Sequence, residues 1–158
     1  MSKVAPCLWF AREAEEAAEF YVSMIPDSRI RHVQRNGPGS PVGKEGSALV
    51  VDFVLGGQTF MALNGGPPDN FTHAVSFKID CVDQAEVDRL WEGLGAGGSP
   101  GQCGWLKDRY GVSWQIVPTE MPAILGDPDP AKAQRAMKAM LGMTKLDIAA
   151  LKKARDGL

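Results

Sequence analysis

One order of segments can be read twice along this chain: an apolar stretch, an amphipathic helix pattern, then alternating stretches set off by turn residues. The first round opens with "KVAPCLWF", where Pro6 suits an edge or the start of a sheet. In "AREAEEAAEFYVSMIPDS" the residues Ala14, Ala17, Phe20, Tyr21, Met24 and Ile25 recur at helical spacing, glutamates take the other side, and Pro26 ends the helix. Strand patterns follow in "RIRHVQR", "SALVVDFVL" and "QTFMALN", with a loop from Asn36 to Gly46 and a Gly56-Gly57 turn between the last two. The second round starts with the strand pattern "THAVSFKID" and passes into "DQAEVDRLWEGL". There Val87, Leu90, Trp91 and Leu94 form an apolar stripe, and Asp83 with Glu86 makes an acidic capping box. The glycine-rich "GAGGSPGQCG" reads as a flexible connection to "WLKD", a turn "RYGV" and a last strand "SWQIVP". The expected fold class is therefore α+β, built from two β-α-β-β-β modules at about residues 3–64 and 72–118.

A chain of 158 residues is long enough for one buried domain that contains both modules, and too short for two independent enzymatic domains. The remainder, about residues 119–158, changes to a helical tail. Asp129 and Pro130 read as cap and first residue of one helix, with Ala133, Met137, Met140 and Leu141 on its apolar face and Gly142 as its stop. A second helix begins near Asp147 and uses Ile148, Leu151 and Ala154. Such short helices are unstable alone, so their apolar faces must lie on the sheets or on a partner subunit. Packing is the simpler use of these methionines than a ligand patch.

A formal net charge of −2 offers no basic excess for a phosphate backbone, so neither nucleic acid nor an acidic membrane is an expected partner. No apolar run approaches the roughly 20 residues that span a bilayer, and "MSKVAPCLWF" has no secretory pattern, which together give a cytoplasmic expectation. The three cysteines, Cys7, Cys81 and Cys103, lack Cys-x-x-Cys spacing and read as free, packed thiols.

With "EEAAEFY" in the first helix, "FMALNGG" closing the first module and "CGWLKDRYGVSWQIVP" closing the second, the chain resembles the PhnB-like branch of the vicinal-oxygen-chelate superfamily. That superfamily includes glyoxalase I, extradiol dioxygenases and antibiotic-resistance proteins. The resemblance spans residues 3–118, and the tail "KAQRAMKAMLGMTKLDIAALKKA" also resembles this branch. It implies a curled mixed sheet around a cleft, a homodimer, and a small organic molecule as ligand. Members of the branch often carry the name 3-demethylubiquinone-9 3-methyltransferase. Methyl transfer from S-adenosylmethionine normally uses a glycine-rich turn directly after a strand. The one glycine cluster of that kind, "GLGAGGSPG", follows a helix.

Proteins similar to glyoxalase I draw metal ligands from the first and last strand of each module, and the cation then acts as a Lewis acid on an enediolate. The matching positions hold Pro6 or Cys7, then Met61 or Ala62 with Asn64 just beyond, then His73, and finally Gln115. One good ligand, His73, and one weak one, Gln115, do not make a strong divalent site without carboxylates, so no metal and no other cofactor is expected, and any metal present would rest on these two. A metal-assisted lyase or dioxygenase acting on a vicinal dioxygen substrate is the enzymatic alternative, and the methyltransferase named for the branch is a more distant one.

Pocket candidates follow from side-chain size and polarity. Trp9, Phe53, Met61, Phe77 and Trp105 supply apolar area, as does Trp114, while Asn64, His73, Asp108 and Gln115 supply polar handles. Strand alternation turns some of these toward the helices instead. Asp108 reads either as a general base or, more simply, as the residue shaping the turn that ends at Gly111. His32 among Arg29, Arg31 and Arg35 reads as a solvated basic face, with an anion site as the sharper alternative.

Overall fold

The computed structural model describes residues 2–158 and divides into two compact units, one ending at Asn70 and the other beginning at Phe71. In the first, β1 (Cys7–Phe10) leads into α1 (Ala14–Met24), followed by β2 (Arg29–Arg35), β3 (Ala48–Leu55) and β4 (Gln58–Asn64). The strands stand in the order β1-β4-β3-β2, with β1 parallel to β4 and the remaining pairs antiparallel. The second unit repeats this plan with β5 (Phe77–Cys81), α2 (Gln84–Gly95), β6 (Ser99–Pro100), β7 (Trp105–Lys107) and β8 (Ser113–Pro118), in the order β5-β8-β7-β6. Three helices follow: α3 (Met121–Leu125), α4 (Pro130–Leu141) and α5 (Ile148–Asp156). Among the described residues no helix is long and apolar enough to cross a membrane.

Alternation along each strand decides which face meets the helix. In the first unit Leu8, Phe10, Phe60 and Ala62 are buried, whereas their neighbours Cys7, Trp9, Met61 and Leu63 are only partly covered or exposed. Helix α1 meets this sheet through Ala14, Ala17, Ala18 and Tyr21, all fully buried, while Phe20 and Met24 are half-buried at the edge of the stripe. Small alanines let the helix axis approach the sheet closely. The helix ends at Ile25, whose extended backbone (φ −103°, ψ 126°) is the conformation that a following proline imposes.

Its start is held from a distance. Glu13 occupies the cap position but its side chain does not cap the helix, and the first helical amide, Ala14 N, instead donates to Asn64 Oδ1 at 2.9 Å. The Asn64 amide nitrogen donates in turn to the Ala48 carbonyl at 2.9 Å, so one buried side chain ties α1, β3 and β4 together.

Four segments differ from the sequence expectation. The strand expected from Thr72 begins at Phe77, because Thr72 nucleates a turn: its hydroxyl accepts from Ala74 N at 3.2 Å and its carbonyl from Val75 N at 3.4 Å. The glycine-rich connection contains β6, a strand of two residues that includes a proline and so carries no alternation signal. Within it, a Cβ on Gly98 would stand only 2.0 Å from the Lys107 carbonyl oxygen, so glycine is there for close backbone approach. The tail has a third helix, α3, whose five residues are too few to show a helical period. Finally, α4 turns Ala136, Ala139 and Met140 inward, leaving Met137 and Leu141 41% and 60% exposed where the sequence placed them on the apolar face.

The tail is nevertheless built into the second unit. Met121, Ile124, Ala136, Leu146, Ile148 and Leu151 form a small core beside Val117 of β8. Gln84 of α2 donates to the Leu146 carbonyl at 3.0 Å and accepts from Ile148 N at 2.9 Å. The amides of Cys103 and Gly104 donate to the carbonyls of Met143 and Thr144 at 2.8 and 2.7 Å. Asp129 and Asp147 cap α4 and α5 through Ala131 N and Ala150 N.

Replacing Asn64 by alanine removes the remote cap of α1 and strands the Ala48 carbonyl; the expected loss is about 2 kcal/mol in a denaturant titration. An unchanged midpoint would show that this side chain does not hold the helix start.

Candidate functional site

The second sheet has one face packed against α2 and one turned away from it. Leu106, Trp114 and Ile116 are buried on the helix side, and Phe77 lies against Trp114 with ring centroids 5.5 Å apart. Register places Trp105 opposite Gln115 and Lys107 opposite Ser113, so these four side chains share the other face, with Lys78 beside Gln115 on β5. A cavity of about 570 Å³ opens there. Its walls include Trp105, Lys107 and Ser113 from the strands, His73 from the turn before β5, and Gln102 and Cys103 from the loop between β6 and β7. Volumes of roughly 300–1,000 Å³ are those of small-molecule sites.

Ser113 distinguishes this cavity. The residue is 2% exposed, and its hydroxyl is the one buried side-chain polar atom without a hydrogen-bond partner among the described residues. Leaving such a group unpaired costs about 1–3 kcal/mol, which makes it a place where a partner from outside the chain is favoured. The loop wall has its own unusual feature, since Cys103 adopts a left-handed backbone (φ 58°) that non-glycine residues rarely take.

The sequence-derived candidates fall into separate groups. His73 and Trp105 line this cavity. Gln115 lies on the same sheet face, but its amide donates to Ser76 Oγ at 2.9 Å. Asp108 is buried and its carboxylate is filled: Oδ1 accepts from Tyr110 N and Val112 N at 2.8 and 3.0 Å, and Oδ2 accepts from the Trp114 indole at 2.9 Å. Together with Gly111 at φ 89°, it shapes the turn between β7 and β8. Phe77 is half-buried against Trp114, and Phe53 is fully buried and stacked on Phe60 at 5.6 Å. In the first unit Met61 pairs in register with Cys7 on the face away from α1. Trp9, 41% exposed, donates its indole N–H to the Pro67 carbonyl at 2.9 Å and lies so close over Gly65 that a Cβ there would meet the ring at 2.3 Å. Asn64 is committed to α1.

Lys107, Ser113, Gln102 and Cys103 are wall residues that sequence reasoning passed over. Two of them had a readable signal: Ser113 is two residues before Gln115 and Lys107 two after Trp105, so parity alone puts each on its neighbour's face.

Two units of β-α-β-β-β form, each with its first and last strands paired in parallel, define a protein of the vicinal-oxygen-chelate fold. The chain belongs to the family described as 3-demethylubiquinone-9 3-methyltransferase, whose model matches residues 2–117; the helical tail lies beyond that match. A solved structure described as a putative 3-demethylubiquinone-9 3-methyltransferase, PhnB protein, from Bacillus cereus is 34% identical, with a TM-score of 0.68 over 75% of this chain and 100% of that one. Protein PA1353 from Pseudomonas aeruginosa shares the fold at 21% identity, with a TM-score of 0.63 over 75% of this chain and 98% of that one. No curated protein matches the sequence.

Asp108→Ala orphans three donors at once and is expected to cost about 3 kcal/mol or more in chemical denaturation. The cysteines should separate by reactivity. Burial, reinforced by the nearby Glu86 carboxylate, pushes the Cys81 thiol up to about 12, whereas Cys7 is exposed and Cys103 half-buried on the cavity wall. Alkylation at neutral pH followed by peptide mass spectrometry should modify Cys7 and Cys103 and spare Cys81 until the protein unfolds. The raised Cys81 value also fixes a sign: its contribution to stability is complete below the ordinary thiol value of 9.0 and is lost as pH rises toward about 12. Cys81→Ala should flatten that part of the stability profile.

Proposed function

We propose that this protein binds a small organic molecule in the cavity on the β7–β8 face of its second unit. The carrying observation is the cavity itself: about 570 Å³, walled by a tryptophan, a lysine, a histidine and an unpaired buried serine hydroxyl. Mostly apolar walls with a few convergent polar groups are what fixes the orientation of a small ligand. The homodimer implied by the family resemblance belongs to the same proposal.

The residues at the metal-ligand positions argue for binding without a cation. In the first unit they supply the thiol of Cys7 beside the thioether of Met61, soft donors that suit neither magnesium nor a glyoxalase-type oxygen and imidazole set. In the second, His73 lies in a turn and the Gln115 amide is engaged by Ser76.

Methyl transfer, which the family name describes, draws no support from the glycine cluster. Residues 93–101 run from the end of α2 into β6, a helix-to-strand passage, whereas a phosphate- or nucleoside-gripping turn runs from strand to helix.

Cys103 provides a reporter for the binding reading because its thiol borders the cavity. Native mass spectrometry against a mixed small-molecule library should retain a ligand in the presence of a chelator, and that ligand should slow alkylation of Cys103 by at least fivefold without changing the rate at Cys7. A retained ligand that leaves Cys103 equally reactive would place the binding site elsewhere. Binding abolished by the chelator would favour the metal-assisted alternative.

A further inference from the structure

Resting on the proposal that this cavity takes a ligand, we infer that the ligand is a monocarboxylate with a flat apolar body, its carboxylate held between Ser113 and Lys107 and its body lying on Trp105. Three features of the wall point the same way. Its charge has one sign: among the described wall residues Lys107 is the only one permanently ionised, and no aspartate or glutamate contributes. Lys107 forms no ion pair among the described residues, in contrast to Lys78, Lys145 and Lys152, each of which is bound to a carboxylate. Beside it in the β7–β8 register, the Ser113 hydroxyl is buried and unpartnered, ready to donate to a carboxylate oxygen.

The number of anchors sets the charge of the ligand. One ammonium and one hydroxyl match a single negative charge with two oxygens, whereas a phosphate dianion needs several more donors to offset its desolvation. The rest of the wall sets the body. Trp105 is half-buried and Pro100 adds apolar surface beside it, a lining that suits an aromatic ring or fused ring pair. Asp108, the nearest acid in sequence, is not part of the wall, and its carboxylate is turned to the Tyr110 and Val112 amides and the Trp114 indole.

Naphthalene-2-carboxylate and its neutral isostere naphthalene-2-carboxamide serve as the probe pair, read by isothermal titration and by alkylation of Cys103 in the full chain at pH 7.5. The carboxylate is expected to bind at least tenfold more tightly than the amide and to protect Cys103. Ser113→Ala and Lys107→Gln should each weaken the carboxylate about tenfold, and each should weaken it several times more than it weakens the amide. Ser113→Ala should melt no lower than the parent, since it removes an unpartnered hydroxyl, and Lys107→Gln is a surface change. Equal affinity for acid and amide, with Cys103 protected by both, overturns the anionic assignment and leaves the cavity as a binding site. Tighter binding of the acid that neither substitution weakens also overturns it. If neither probe binds or protects Cys103, the carboxylate assignment and the cavity reading fall together.

Discussion

Parallel pairing between the first and last strand of each unit is the constraint from which the rest follows. It returns the end of the module to its beginning, so that Phe10 stands beside Asn64 and Cys81 beside Pro118. Helix α1 starts only a few residues after β1, and the returning strand therefore delivers Asn64 to its first amide. In the second unit the same return brings Gln115 to Ser76, at the point where the chain enters β5. Each of these bonds joins residues far apart in sequence, and neither can form before the module has closed.

Closure also separates the two faces of each sheet. With the helix on one side, every strand residue is either interior or available, and parity decides which. Much of this is legible in the sequence: both helices, Pro26 as a stop, the Gly56-Gly57 turn, the caps at Asp83 and Asp129 and the start of the last helix near Asp147 appear where the pattern places them. Parity itself was readable too, since residues two apart share a face. Which parity faces the helix was not, because large side chains occur on both. Phe53 is fully buried and Phe77 lies half-buried against Trp114, while Trp105 turns to the cavity. An aromatic residue in a strand announces size, and only the tertiary pairing announces direction.

What the sequence concealed was decided by tertiary contact or by elements too short to have a period. Strand β6 has two residues, and α3 has five. The turn at Thr72 overrode an apparently good strand pattern by satisfying backbone amides locally. Helix α4 forms where its pattern places it, but Ala136 and Ala139, rather than Met137 and Leu141, join Met140 in the core of the tail. Asp108 shows the reverse case: an acid beside a glycine turn invites a catalytic reading, and its three donors explain it completely.

The match to the family stops at residue 117, immediately before the tail, although the tail's own backbone carbonyls at Met143 and Thr144 grip Cys103 and Gly104. One wall of the cavity is thus moored to a segment outside the shared core. Leu146 tightens that mooring, lying close enough to Gly104 that an added methyl group would come within 2.9 Å of it. Shearing the chain at the edge of the recognisable family would spare both sheets and set that wall adrift, so two relatives with the same core need not present the same recess to the same guest.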